Sequence, residues 1–250
     1  MTRLDTQTNT PEAGMPQKNP RVSIVLVRPR YPENIGSAAR AMMNMGFSDL
    51  ILVNPEDPDQ ERMRKTATHQ AARIIDNLKI RDNLAETLAP FTYVAATTTR
   101  KGKKRFGVIT PQSFVKRTQE LGKDDRIAIL FGSEDKGLTN EELTFADALV
   151  TIPTVDFSSI NLAQSVMILC YELSRRPAPA SAPLRRANKK ELSKVYDDLQ
   201  ELLMAIDLHN PENPDHWLAR FRNLLSRAGL RAGDAALVRD FIRKANQKLK

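Results

Sequence analysis

Cysteine is nearly absent from this sequence: Cys170 stands alone among 250 residues. No internal disulfide can form, which fits the reducing cytoplasm. Histidine is scarce too, with three, at His69, His209 and His216. No His/Cys/Asp grouping has metal-ligand spacing, so no metal is expected. No apolar run approaches the ~18 residues of a membrane span. Residues 1–20 are polar, carry Pro11, Pro16 and Pro20, and lack the apolar stretch of a signal peptide. They read as a disordered leader. Two nucleotide-binding fingerprints are missing as well. Phe131-Gly-Ser-Glu-Asp-Lys-Gly-Leu138 has its glycines spaced like a P-loop, but Leu138 and Thr139 follow Gly137 where a P-loop needs Lys and Ser/Thr. No GxGxxG occurs, so a Rossmann dinucleotide site is not supported.

What the chain does have is positive charge, unevenly placed. The net charge is +8; residues 175–250 hold 16 Lys and Arg against 9 Asp and Glu, and the remainder is close to neutral. A basic tail on a near-neutral body suits capture of a phosphate backbone. The same charge would also suit a merely solvated helical tail.

Between residues 22 and 174 short apolar runs alternate with helical patterns. Strands are expected at Val22–Val27, Leu50–Val53, Thr92–Ala96, Arg126–Phe131 and Ala148–Ile152. A helix capped by Asn34 should end at Gly46, with Ala38, Ala39, Met42 and Met43 as its apolar stripe. A long helical stretch is expected from about Gln60 to Leu88, with a break near Asp76–Lys79. The last helix of this region, begun by Ser159 or Asn161, reaches Ser174. This order implies an α/β fold with a mainly parallel sheet covered on both faces. Ligands then bind beyond the carboxyl ends of the strands. A Pro/Ala linker over 175–188 leads to a small α-helical C-terminal extension, 189–250. Its apolar positions are Leu192, Val195, Leu199, Leu202, Leu203 and Ile206, then Trp217, Phe221, Leu224 and Leu225 after a start at Asn213-Pro214, then Leu237, Val238, Phe241 and Ile242 after a cap at Asp234.

Three motifs sit at successive strand ends. In Asn34-Ile-Gly-Ser-Ala-Ala-Arg40, Gly36 leaves room for a neighbouring chain or a ligand, and Arg40 shares a broad helix face with Asn34. The Gly132–Gly137 loop offers free backbone N–H groups and the carboxylate Glu134. In Ile152-Pro-Thr-Val-Asp-Phe-Ser-Ser-Ile-Asn-Leu162 a strand end leads to a helix start with exposed N–H groups. Each motif taken alone is explained by ordinary capping or tight-turn geometry.

Their order resembles the three motifs of the TrmH-type SPOUT methyltransferases. Arg28-Pro29, Ala96-Thr-Thr-Thr-Arg100, Ser158-Ser-Ile-Asn-Leu-Ala-Gln164 and Asn210-Pro-Glu-Asn-Pro-Asp-His216 are similar to the TrmJ-type subgroup. The resemblance covers Arg21 to the end. It implies a 21–174 methyltransferase domain whose C-terminal segment forms a trefoil knot, an exception to the un-knotted rule. It implies S-adenosyl-L-methionine as cofactor, held by Thr97, Thr98, Leu130, Gly132, Gly137, Ile152, Ile160 and Leu162. It implies catalytic roles for Arg40, Asn34, Glu134, Ser159 and Asn161, with Arg40 acting on the 2′-oxygen. Arg100, Lys101 and Lys103 are expected to contact tRNA. The product would be a tRNA ribose 2′-O-methylated in the anticodon loop, at position 32, on cytidine or uridine, and the enzyme a homodimer. The Ala- and Met-rich first helix would suit such close packing. An rRNA methyltransferase of the same fold and a non-catalytic RNA-binding protein are the alternatives. Cys170, on an apolar helix, reads as packing rather than nucleophile.

Overall fold

The computed structural model describes residues 21–99, 108–122, 124–155, 159–175, 185–208 and 216–249. The leader, the linker residues 176–184, the start expected at Asn213-Pro214, and Arg100, Lys101 and Lys103 lie outside the described residues. In chain order the elements are β1 (Val22–Val27), α1 (Pro32–Asn44), β2 (Asp49–Val53), α2 (Gln60–Asp76), β3 (Lys79–Arg81), α3 (Leu84–Leu88), β4 (Tyr93–Thr97), β5 (Val108–Ile109), α4 (Pro111–Gln119), β6 (Ile127–Phe131), α5 (Asn140–Leu143), β7 (Ala148–Val150), α6 (Leu162–Ser174), α7 (Lys189–Ala205), α8 (His216–Ala228) and α9 (Ala232–Leu249).

The seven strands form one sheet in the order β3-β2-β1-β6-β4-β7-β5, and every pairing is parallel. Alternate residues of a strand face opposite sides, and β1 divides accordingly. Val22, Ile24 and Leu26 enter one apolar layer with α1, α2, α4 and α6. Val25 and Val27 enter the other, with Leu88, Phe91 and Leu138. Burying each such side chain contributes about 1.5–3 kcal/mol, so a strand apolar on both faces is stable only between two covering layers.

All five expected strands are present. The two additional ones, β3 and β5, have three and two residues, too short to carry a periodicity. β3 occupies the expected break in the long helical stretch. Asn34 does not cap α1. The helix starts at Pro32, whose ring presets a helical φ, and Tyr31 is the N-cap without a side-chain cap bond. A Cβ at Gly36 would collide with the Met63 carbonyl oxygen and the Thr66 hydroxyl of α2, so the room there is taken by a neighbouring helix. Ala38, Ala39 and Met42 are buried in the same layer as α2 and α6 residues. These three are spent inside the chain, while Met43 is half-buried against the same layer.

Helices α7 to α9 share their own apolar cluster, built on Leu192, Val195, Leu199, Leu203, Leu218, Ala235 and Ile242. Leu224, Leu237 and Phe241 are not part of it: they are 51%, 71% and 72% exposed. α9 is turned by Arg239 and Asn246, whose side chains bond the Asp198 carboxylate and carbonyl at 2.8 and 3.2 Å. Asp234 is the third residue of α9 rather than its cap, and its carboxylate accepts from the Arg231 N–H at 3.3 Å. The unit is tied to the sheet by Asp147, just before β7. Its carboxylate accepts from Lys189 Nζ at 2.6 Å, from Ser226 Oγ at 2.6 Å and from the Val94 N–H at 2.7 Å. The N–H groups of Lys189 and Lys190 donate to the carbonyls of Phe91 and Ala89.

Candidate functional site

The carboxyl ends of β4, β6 and β7 open into a cleft of about 310 Å³, where a parallel sheet of this kind is expected to bind its ligand. The Gly132–Gly137 loop forms one wall. Gly137 has φ +66, and a Cβ on Gly132 would collide with the Gly137–Leu138 backbone. The loop closes on itself through the Gly137 N–H and the Ser133 carbonyl at 2.9 Å. Arg28 clamps it from outside. Its guanidinium donates to the Gly137 carbonyl at 3.3 Å and to both Glu142 oxygens at 2.9 and 2.8 Å. Glu142 also completes a capping box with Thr139 at the start of α5. Neither Arg28 nor Glu142 stands out by charge, but the Thr139-x-x-Glu142 signature is legible in the sequence.

The opposite wall comes from β4 and the segment after β7. The Thr97 hydroxyl donates to the Leu130 carbonyl at 3.0 Å, and the Thr151 hydroxyl to the Thr98 carbonyl at 2.6 Å. Of the expected cofactor residues, Thr97, Thr98, Gly132, Gly137, Ile152, Ile160 and Leu162 line the cleft. Leu130 does not. It is fully buried in the second apolar layer and contributes its carbonyl as a strut. Thr99 and Ser133, within the quoted motifs but not singled out, line the cleft as well, as does Ser165, an isolated hydroxyl that carries no pattern.

Three residues from three motifs meet beside the cleft. The Asn34 amide donates to Glu134 Oε1 at 2.8 Å and accepts from the Asn161 amide at 3.1 Å. Glu134 Oε2 accepts from the Arg30 N–H at 3.0 Å. Asn161 meanwhile caps α6, its Oδ1 accepting from the Ala163 N–H at 2.9 Å. Asn34 is therefore a connector, free to reach across because proline starts its helix. Ser159 lines the cleft and is exposed. Arg40 is exposed on α1 and has no hydrogen-bond or ion-pair partner among the described residues. It joins neither the network nor the lining. Cys170 is fully buried among the residues covering the sheet, and burial pushes its thiol above the ordinary range, so it serves packing. Among the described residues no group of three or more His, Cys, Asp or Glu could hold a metal ion.

The charged residues lining the cleft are Glu134, Asp135 and Lys136. A site with that balance, closed by a glycine loop and walled by Leu138, Ile152, Ile160 and Leu162, suits a small cationic ligand with an apolar part and no phosphates.

Residues 21–171 match the SpoU rRNA methylase family. The "uncharacterized tRNA/rRNA methyltransferase LasT" of Escherichia coli is 38% identical over 210 residues, covering 82% of this chain and 90% of its own length. The "tRNA (cytidine/uridine/adenosine-2′-O-)-methyltransferase TrmJ" of Pseudomonas aeruginosa is 33% identical over 227 residues, covering 84% and 88%. Among solved structures, TrmJ from Z. mobilis superposes with a TM-score of 0.76 at 30% identity, covering 90% of this chain and 98% of that one.

Proposed function

Because this chain belongs to the SpoU methylase family, we propose that it transfers a methyl group from S-adenosyl-L-methionine to a ribose 2′-hydroxyl of tRNA, in the anticodon loop. The observation that carries the reading is the hydrogen-bonded run Asn161–Asn34–Glu134 at 3.1 and 2.8 Å, which joins the three motifs beside one cleft. The tRNA substrate rests on relatives named as tRNA 2′-O-methyltransferases over most of their length. The anticodon-loop position, the trefoil knot, the cytoplasmic location and the homodimer rest on the resemblance of the motifs.

The cleft fits this cofactor. Leu138, Ile152, Ile160 and Leu162 would hold its adenine, and the backbone of Thr97–Thr98 and of the Gly132–Gly137 loop its polar ends. Glu134, bonded to the neutral Asn34 amide and the Arg30 N–H, complements its positive charge, and the lack of a phosphate cradle is no defect for a ligand without phosphates. When bound, the cofactor supplies a methyl group made electrophilic by a sulfonium.

The chain's own work is to position a ribose and to stabilise negative charge on its 2′-oxygen. Arg40 cannot serve as an ordinary base, since a guanidinium is not deprotonated in proteins. It acts instead as a free cation that meets the developing alkoxide, and the proton leaves to water or to a substrate phosphate. Having no carboxylate partner among the described residues, its charge is not spent within the protomer. Glu134 and Asn161 fix Asn34, and the network orders the start of α1 and of α6 around the ribose. Holding two reactants in line contributes much of the remaining rate.

The reading is tested by incubating the protein with methyl-labelled cofactor and either tRNA or ribosomal RNA. Label is expected in tRNA, at an anticodon-loop nucleotide that becomes resistant to alkaline cleavage and whose 2′-deoxy analogue accepts nothing. Label in ribosomal RNA alone would move the substrate. Cofactor binding without any transfer would leave an RNA-binding protein.

A further inference from the structure

Tyr31 is an exposed aromatic side chain at the start of α1, three residues before Asn34, and it makes no side-chain hydrogen bond among the described residues. It is 43% exposed. As the N-cap of α1 it makes no side-chain cap bond, so a smaller residue could stand there. Its backbone carbonyl accepts from the Asn34 N–H at 3.0 Å, and the preceding N–H, of Arg30, donates to Glu134 at 3.0 Å. The backbone on either side of the ring is thus bonded to Asn34 and Glu134, two of the residues that bridge the motifs. One of its faces is taken by the Arg30 guanidinium, 5.6 Å from the ring centroid.

The charges around it indicate what could lie on this surface. Arg30 pairs with Asp135 and with Glu56, and Arg62 pairs with Glu33 and Asp57. Two cations thus answer four carboxylates. Both cations are spent on carboxylates, so this rim offers a phosphate no free partner. A neutral aromatic surface needs none, and an aromatic ring backed by a guanidinium is what proteins use to hold an unstacked base. Tyrosine offers that area at low conformational cost, having two side-chain torsions.

We propose that Tyr31 is the stacking platform for the base adjacent to the nucleotide being methylated. The inference rests on the RNA methyltransferase reading above and assigns it a residue that selects how the substrate enters. Pulling one neighbouring base out of the loop stack onto Tyr31 would turn the target ribose toward Asn34 and Arg40. The phenol hydroxyl plays no part, so Phe should replace Tyr31 without loss, whereas Ala should not.

The test compares wild type, Tyr31→Phe and Tyr31→Ala on the same tRNA, together with a tRNA lacking the base on either side of the target. Tyr31→Ala is expected to raise KM for tRNA about tenfold or more, the range of one base–aromatic stack, with cofactor affinity and melting temperature unchanged. Tyr31→Phe should match wild type. Removing the base on the stacked side should weaken wild type by a similar factor and leave Tyr31→Ala no worse than it already is. An Ala variant as active as wild type would overturn the stacking site, as would equal sensitivity of both proteins to the missing base. Loss of cofactor affinity in Tyr31→Ala, or its dissociation from dimer to monomer in light scattering, would equally overturn it in favour of a structural or interface role. Wild-type protein that methylates no RNA at all would instead refute the underlying reading.

Discussion

Arg40 and Asn34 share a helix but sit in different surroundings. Asn34 is held by two partners, Glu134 and Asn161, whereas Arg40 is exposed and unpartnered among the described residues. A residue engaged in this way positions, and a free cation can meet a developing charge. Arg40→Ala should therefore lower single-turnover methyl transfer by about a hundredfold or more, the usual cost of losing an electrostatic stabiliser. Cofactor affinity by calorimetry should stay within about twofold, because Arg40 is not in the cleft lining. Lost cofactor binding with intact chemistry would refute this role. That Asn34, Glu134 and Asn161 would come near one another was legible in the sequence, since they follow the ends of β1, β6 and β7. Its wiring was not. Asn ahead of an apolar helix reads as a cap, and no local pattern reveals that its partner is a carboxylate 100 residues on. The Arg28–Glu142 clamp escaped for the same reason.

At the scale of elements, the long strands were legible because they are apolar on both faces and flanked by turn residues. α2 holds the feature that no pattern announced. Thr68 has φ 68 and ψ 168 in the middle of the helix, a backbone region essentially reserved for glycine. A β-branched residue there costs of order 1–3 kcal/mol, and the side chain is exposed, so it recovers little by packing. The strain is tolerated because the turns around it are fixed. Met63 and Ala67 are fully buried, and the Thr66 hydroxyl donates to the Glu33 carbonyl at 2.9 Å. Thr68→Gly should remove most of the strain at a chain-entropy cost of about 0.5–1 kcal/mol. The net gain of about 1 kcal/mol corresponds to a melting temperature roughly 2–4 °C higher. A lower melting temperature would mean that the kink is held by Thr68 rather than despite it.

For the whole molecule, the question is whether the basic tail is a separate capture device or part of the body. Its charge and its own apolar cluster favour a unit that can act by itself, but Asp147 complicates that picture. Its side chain is 7% exposed, pairs with Lys189, which is 16% exposed, and also accepts from Ser226. Lys189→Met would leave the carboxylate beneath α7 and α8 without its cation. Breaking a buried pair on one side costs about 3–5 kcal/mol, which should lower the melting temperature by on the order of 10 °C. Removing residues 175–250 altogether is a different perturbation, because water then reaches Asp147 and satisfies it. The truncated protein should therefore fold, and since the residues lining the cleft lie between Thr97 and Ser165, it should bind cofactor as before. What it should lose is tRNA affinity, and with it part of the salt dependence, because fewer phosphate contacts release fewer counterions. Measuring tRNA affinity at two salt concentrations beside cofactor affinity separates the outcomes. A flatter salt slope with intact cofactor binding makes the tail the capture surface, docked through Asp147. An unchanged slope with lost cofactor binding would make α7 to α9 a brace for the sheet, and the positive charge they carry incidental to the RNA.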